Sequence, residues 1–286
     1  YRRAGAFGQI GAAAGRRPGR SGHSLKPMRL LLLSLLATLL AGSAEAQALR
    51  DFCAERPGKA TPPCIVDQGH LMLEVGLADA VFARGSGAHE NTYSFAAAEL
   101  RLGVSKRIEV AAEWTPAIVD HSRGEPSRTG VGDLVLDLKA AATDPDGQGL
   151  AIAAQGFITA PTATKGQGAG GWTGGVRLPV SAPLGPNTDF ELAPEVDVLR
   201  DAAGHGTHLA WAGAVGLSHG FGSATLGVEV WGQIDDDPAK RAYQASADLT
   251  AAYAVGDNGQ LDAGVNLGLN RATPDAEVYA GVARRF

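Results

Sequence analysis

The chain has 286 residues, of which 45% are hydrophobic and 19% are charged, with 39 glycines and only two cysteines. Its formal net charge is −5. Because seven of the 25 basic residues but only one of the 30 acidic residues precede residue 47, the remainder carries about −11. Such an acidic chain is not expected to bind nucleic acid or an anionic surface through charge alone.

The first 46 residues are expected to lie outside the fold. Residues 1–27 are rich in Gly, Ala and Arg without periodicity, and we interpret them as a non-native upstream extension. Residues 28–46 resemble a signal peptide in plan, with a basic start, an apolar run over residues 30–40, and small residues that predict cleavage after Ala46. The apolar run is too short for a membrane-spanning helix. These features predict an exported protein.

Residues 47–69 are predicted to form an N-terminal segment in the periplasm. Cys53 and Cys64 bracket a stretch that contains Pro and Gly. In an exported protein two such thiols are expected to form a small disulfide loop. No His pair lies near them, which disfavours a metal site.

The rest of the chain, residues 70–286, has the pattern of β-strands. From Leu261 to Asn270, apolar residues alternate without interruption with Asp, Gly and Asn. About twelve segments of this kind, each roughly 10–14 residues long, are separated by turn residues. Their polar faces carry acids, amides and glycines, whereas a soluble sandwich would expose mainly Lys and Thr. We therefore predict an all-β fold, a transmembrane antiparallel barrel with lipid outside and a wet lumen.

Connection lengths support a barrel, because tight turns alternate with longer loops. An even number of strands would leave both termini in the periplasm. Four aromatic residues, Trp114, Trp172, Tyr243 and Tyr279, lie near strand ends and suit interfacial girdles. A soluble β-solenoid or sandwich is the alternative, since each strand alone gives a weak signal.

Several segments resemble one family of outer-membrane barrels, named for the meta-pathway of phenol degradation. They are Gly130-Val131-Gly132-Asp133 with Lys139, the segment from Phe157 to Thr162 before a Gly-rich loop and Trp172, and the C-terminal pattern from Leu267 through Thr273-Pro274-Asp275 and Tyr279-Ala280-Gly281 to Arg285-Phe286. The resemblance spans most of residues 70–286. It implies an outer-membrane transporter, with uptake of aromatic compounds in some members, and no catalytic residues.

The C-terminus departs from the general barrel signal at Arg284, where an apolar residue is preferred. An Arg on the lipid side near the interface costs only about 0–1 kcal/mol, against about 2–4 kcal/mol at the midplane. The barrel interpretation therefore stands. Phe286 is the expected contact with the barrel-assembly machinery.

Charged residues on the polar faces are predicted to line the lumen or a constriction within it. They are Glu109, Glu113, Asp133, Asp137, Lys139, Arg177, Glu191, Glu195 and Glu229. Counted over all inward positions, carboxylates outnumber bases about three to one, which would disfavour anions. A salt-bridged plug that only satisfies a polar interior is an equal alternative.

Enzymatic or metal chemistry has weaker support. His121-Ser122 and Ser218-His219 are adjacent, and neighbouring residues on a strand point to opposite faces. His205 and His208 near Asp201 could bind a metal, but a solvated loop pair is the simpler interpretation. The acidic run over residues 235–237 lacks the spacing of a calcium loop. We expect no enzyme, no cofactor and no metal.

The predicted function is passive transport of small solutes, aromatic or otherwise hydrophobic, across the outer membrane. The partners would be outer-membrane lipid and the solute. A closed barrel that acts as an anchor or receptor through residues 121–129, 165–171 and 235–241 is the first alternative. A barrel hydrolase is the second.

Overall fold

The structure is a computed structural model that describes residues 49–85, 88–143, 145–146, 149–204 and 206–286. The expected upstream extension, the signal peptide and its cleavage site lie outside these residues. In the described part of the chain no helix is both long and apolar enough to cross a membrane.

Strands make up nearly all of the regular structure. They are β1 (Leu71–Gly85), β2 (Ala88–Gly103), β3 (Ile108–Trp114), β4 (Ala117–Ser122), β5 (Arg128–Gly130), β6 (Leu134–Ala141), β7 (Ala151–Ala160), β8 (Thr173–Arg177), β9 (Val180–Gly185), β10 (Thr188–Arg200), β11 (Thr207–Phe221), β12 (Ala224–Asp235), β13 (Ala242–Ala254), β14 (Gly259–Gly268) and β15 (Ala276–Arg285). A single turn of 3₁₀-helix over Gly256–Asn258 joins β13 to β14.

These segments form a closed barrel of twelve antiparallel strands. Three wall strands are each interrupted once, so that β3 continues as β4, β5 as β6, and β8 as β9. Pro179 lies at the last of these interruptions, where its missing N–H cannot contribute to the ladder. β1 pairs with both β2 and β15, which closes the wall. The predicted fold and strand number are confirmed.

The β14–β15 hairpin shows how the alternation becomes two faces. Leu261 pairs with Val282 and Val265 with Val278, and their side chains point outward, as in a wall that contacts lipid. The intervening residues point into the lumen, where Tyr279 is buried. Its ring lies over Gly264. A Cβ at position 264 would come within 2.4 Å of the ring carbon that bears the hydroxyl, so glycine leaves room for the ring. The expectation that Tyr279 belongs to an interfacial girdle is therefore corrected.

Two ends of the barrel can be distinguished by their connections. At one end, called the short-turn end, four of the five connections, 104–107, 186–187, 222–223 and 255–258, have two to four residues, and the fifth, 142–150, has nine. At the other, called the loop end, four of the six connections, 161–172, 201–206, 236–241 and 269–275, have six to twelve residues, while 86–87 has two and 123–127 has five. Short turns are typical of the periplasmic side.

The outer loops are more ordered than the pattern suggested. β4 and β5 extend into the stretch 121–129 that was expected to be a loop.

The β1–β15 pairing shifts register between Gly76 and Ala78, so the inward positions change from Glu74 and Gly76 to Asp79. The sequence pattern did not reveal this bulge.

Residues 49–67, called the plug, lie inside the barrel. They contact inward side chains from opposite parts of the wall, including Glu109 on β3, Glu229 on β12 and Asp262 on β14. A short segment can reach all of these strands only from within. The expectation that this segment lies in the periplasm is therefore corrected for the described residues. The carboxylates of the wall pair with the cations and the backbone N–H groups of the plug, which would otherwise be hydrogen-bonded only to water.

The plug is compact and internally linked. Cys53 and Cys64 form a disulfide. Ala60, Ile65 and Val66 are almost completely buried. Such a short cross-linked loop has few conformations to lose on docking.

Candidate functional site: the plugged lumen

Glu55 of the plug is held in a cationic socket of the wall. Arg101 and Lys139, both fully buried, contact its carboxylate, with 3.5 Å between Arg101 Nε and Glu55 Oε1. Arg101 also donates to Glu74 at 2.7 Å and to Glu109 at 2.9 Å. Lys139 lies 3.3 Å from Glu109. The wall cations therefore keep two wall carboxylates as partners even without Glu55.

The socket changes the acidity of Glu55. Burial alone raises its pKa, but the charges of Lys139 and Arg101 lower it by more, so that the pKa falls from 4.5 to about 2. Glu55 is consequently ionised over the whole physiological range, and its charge favours the docked plug.

Wall carboxylates also hold the plug backbone. Glu74 accepts hydrogen bonds from the N–H groups of Glu55 and Arg56 at 2.9 and 3.0 Å. Glu109 accepts one from the N–H of Val66 at 2.8 Å. Hydrogen bonds from backbone N–H groups to carboxylates are stronger than neutral ones. The plug is thus oriented by its main chain as well as by its charges.

The opposite wall binds the next plug residues. Arg56 donates to Asp262, with 2.9 Å between Nη2 and Oδ1. Lys59 Nζ lies 3.1 Å from Ser246 Oγ and 3.6 Å from Asp248 Oδ2. It also lies 4.8 Å from the ring centroid of Trp231, within the range of a cation–π interaction.

The plug passes closest to the wall at Gly58. Glu229 accepts hydrogen bonds from the backbone of Lys59 and Ala60 at 2.7 and 3.3 Å. A Cβ on Gly58 would come within 2.3 Å of a Glu229 carboxylate oxygen, so a larger residue here would have to displace the Glu229 side chain from these hydrogen bonds. Further contacts join Arg177 to Thr61 at 2.7 Å and to Glu195.

The short-turn end is closed by a second set of contacts. Arg285 donates to Asp67 at 2.9 Å and to the carbonyl of Arg50 at 2.8 Å. Arg50 in turn donates to the carbonyl of Lys106 at 2.8 Å and pairs with Asp146 at 2.5 Å. Both ends of the plug are therefore fixed to the rim.

The plug divides the free space of the lumen. A 230 Å³ cavity lined by Arg177 and Glu195 and a 280 Å³ cavity lined by Gln244 and Asn266 share Lys59 and Trp231 as walls. A third cavity of 240 Å³ lies between plug residues, among them Phe52 and Arg56, and wall residues beside the short turns, namely Glu191, Thr225, Ala252 and Gln260. Gly58 lines both the first and the third cavity. The plug therefore separates the cavity at the short-turn end from the two cavities nearer the loop end.

At the loop end, one connection is tied to the wall and two others are tied to each other. Asp133 accepts hydrogen bonds from the N–H groups of Ala163 and Ala169 at 2.8 and 2.7 Å, which folds the connection 161–172 back on the barrel. Asp237 binds the N–H of Ala202 on the neighbouring loop at 2.7 Å. This bond and a second from the N–H of Ala239 hold the pKa of Asp237 below its usual value.

The nine residues predicted to line a constriction do not form one ring. Glu109 and Lys139 belong to the Glu55 socket, and Arg177 and Glu195 line a cavity. Glu191 and Glu229 lie beside the cavity at the short-turn end, Asp133 clamps an outer loop, and Glu113 and Asp137 project from the adjacent strands β3 and β6.

The sequence pattern also places Glu74, Arg101, Asp248, Asp262 and Arg285 on the inward faces of the strands. It did not predict Trp231 and Ser246 as part of the site, nor the plug residues Glu55, Arg56, Lys59, Thr61 and Asp67 that contact the wall. The excess of inward carboxylates was the available signal. Buried acids need cations or N–H donors, and the segment before the first strand carries both.

The histidines considered for hydrolysis and for metal binding have specific partners in the structure. His121 bonds Ser127 at 3.0 Å, and His219 bonds Thr188 at 2.7 Å, so neither contacts its sequence neighbour. His208 lies 2.9 Å from Asp201, while His205 falls outside the described residues. Among the residues that the structure describes, no group of three or more His, Cys, Asp or Glu side chains is arranged to hold a metal ion.

Comparisons with solved structures bear on the fold. An outer-membrane channel from Pseudomonas putida is 14% identical, covers 80% of this chain and 99% of its own, and superimposes with a TM-score of 0.63. The KdgM porin is 8% identical over 75% of this chain and 99% of its own, with a TM-score of 0.48. The β domain of the Bordetella autotransporter BrkA is 13% identical over 77% of this chain and 100% of its own, also with a TM-score of 0.48.

The sequence comparisons bear on the family. No curated protein sequence matches the chain significantly. The family model described as "Putative MetA-pathway of phenol degradation" matches residues 54–286, which include most of the plug and the whole wall. The chain therefore belongs to this family of outer-membrane-type β-barrels.

Proposed function

We propose that the protein is an outer-membrane channel for passive transport of small solutes, and that the plug is its gate. Aromatic or otherwise hydrophobic compounds are the proposed solute class, which the family description and the position of Trp231 beside two cavities support. Export through a signal peptide cleaved after Ala46, and insertion by the assembly machinery acting on Phe286, complete the proposal.

The observation that carries the gate is the divided lumen. Free space lies on both sides of the plug, and the polar wall between the two ends is that of a passage. The plug is attached mainly by ion pairs and by hydrogen bonds to carboxylates. Such contacts can exchange with water when the segment moves, whereas a large apolar interface could not.

The wall charges suggest the selectivity of the open state. Within the described residues, Glu113, Asp137 and Glu191 form no ion pair with a Lys or Arg. When the plug moves and water enters, such buried carboxyls can ionise, and the excess of wall carboxylates over wall bases then gives the lumen a negative potential. We propose that the open channel prefers cations and neutral solutes over anions.

One observation favours a different function. The plug contacts the wall on all sides, and the outer loops are tied down by Asp133 and Asp237. These contacts suit a permanently closed barrel that acts as an anchor or receptor through its loops. Such a barrel would remain impermeable even when the plug attachment is weakened.

A liposome-swelling assay separates the two functions. Glu55→Gln removes the plug charge from the socket while Arg101 and Lys139 keep their wall partners, so we expect faster uptake of small neutral aromatic solutes. Arg84→Gln is the matched control, since it breaks an exposed ion pair with Asp275 at the loop end. Equal, negligible swelling for the native protein and Glu55→Gln would favour the closed barrel.

A further inference from the structure

The side chain of Lys59 in the plug enters a pocket of the wall that has the groups needed to bind a cation. Its ammonium lies over the face of Trp231 and beside the Ser246 hydroxyl and the Asp248 carboxylate. An aromatic face with nearby oxygen acceptors is the usual surroundings of an organic ammonium ion in proteins. The wall thus supplies the parts of an ammonium site, and the plug supplies its occupant.

The pocket has more acceptors than Lys59 uses. Asp248 is 2% exposed and Asn266 is 5% exposed, and the Oδ1 atom of each has no hydrogen-bond partner. Asn266 lines the 280 Å³ cavity, and its amide nitrogen already donates to Glu277 at 2.7 Å. Buried oxygen atoms without donors are costly. A ligand that brings N–H donors or positive charge would satisfy them.

Space for such a ligand lies next to the ammonium. The cavities of 230 and 280 Å³ both contact Lys59 and Trp231. A water molecule occupies about 30 Å³ in the liquid, so each cavity can hold a molecule of several heavy atoms. A ligand can therefore approach the ring of Trp231 without any displacement of the wall.

We propose that Trp231, Ser246, Asp248 and Asn266 form a binding site for small organic ammonium ions, and that Lys59 occupies it as a tethered internal ligand. A free ammonium ion competes with Lys59 and removes the side-chain attachment of this part of the plug. The backbone contacts of Lys59 and Ala60 with Glu229 remain. The site goes beyond the channel function, because it binds its ligand whether or not the barrel conducts.

The probe is n-butylammonium, which is the lysine side chain without its backbone. Isothermal titration calorimetry would compare the native protein with Lys59→Ala, both purified from membranes in detergent. Removing the tethered competitor, whose effective concentration is in the millimolar range or above, should strengthen binding about tenfold or more. Lys59→Met refills the space without charge and should bind more weakly than Lys59→Ala.

Two controls identify the site. Neutral n-butanol should not bind Lys59→Ala, and adding Trp231→Leu or Asp248→Asn to that variant should abolish binding of n-butylammonium. Heat-modifiable migration in gel electrophoresis verifies that each variant keeps its barrel. Equal affinity of the native protein and Lys59→Ala, or binding that survives both added substitutions, overturns the proposal. A protein that binds n-butylammonium but never conducts retains this site and loses the channel function.

Discussion

Glu55 is the residue at which acidity and plug docking are linked. Its pKa is about 2 in the docked plug and 4.5 without the socket. Because the docked value is the lower one, the stabilisation is complete above about pH 4.5 and is lost as the pH falls towards 2. Its size is on the order of 3 kcal/mol, from 1.36 kcal/mol per pKa unit.

Hydrogen exchange of the plug should follow this linkage. We expect the opening free energy of the amides of residues 53–66 to fall between pH 5 and pH 2 in the native protein. Glu55→Gln should already show a lower opening free energy at pH 7 and a smaller change across the acid range. The measurement is exchange detected by mass spectrometry and corrected for the intrinsic pH dependence, with β13 peptides as the internal reference. Parallel pH profiles in the two proteins would show that Glu55 does not link acidity to plug docking.

The connection 161–172 is an element held chiefly from the wall. Its attachment includes the two hydrogen bonds to Asp133, and Gln167 adds contacts with Asp120 and the carbonyl of Ile118. Hydrogen bonds to a charged acceptor contribute about 1.5–3 kcal/mol each. Removal of the Asp133 carboxylate should therefore release the loop.

Limited proteolysis tests this role. Asp133→Ala should increase trypsin cleavage after Lys165 by about tenfold or more, as expected for the loss of at least ~1.5 kcal/mol of loop attachment. Glu125→Ala, at an exposed position in the turn between β4 and β5, is the matched control and should leave the rate unchanged. Unchanged cleavage in Asp133→Ala, with the barrel intact on a gel, would show that other contacts hold the loop.

Elements differed in how far the sequence predicted them. Strand β14 (Gly259–Gly268) was predictable from the alternation over residues 261–270, because a wall between lipid and water imposes period two on every residue. The bulge at Leu77 was not, since one inserted residue leaves the local pattern almost unchanged. The plug was also missed, because an aperiodic segment shows no face. Tyr279 was misplaced because its position near a strand end suits both a girdle and a lumenal contact.

At the scale of the whole molecule, the wall and the plug are joined by ion pairs in both directions. The plug brings Arg56 and Lys59 to wall carboxylates, and it brings Glu55 to the wall cations Arg101 and Lys139. The sequence predicted the wall charges one by one. It did not predict their grouping, because the bulges and interrupted strands that set their relative heights have no pattern of their own.

The proposed gate controls a passage through the whole barrel. The most direct test is the single-channel current of the purified protein and of Glu55→Gln in planar bilayers at neutral pH, with reversal potentials in a salt gradient. We predict rare openings of the native protein and cation-selective currents in both proteins. The open fraction should be at least about tenfold higher in Glu55→Gln, which corresponds to a loss of ~1.4 kcal/mol or more of docking free energy. A Glu55→Gln barrel that is folded but as silent as the native protein would contradict the gate.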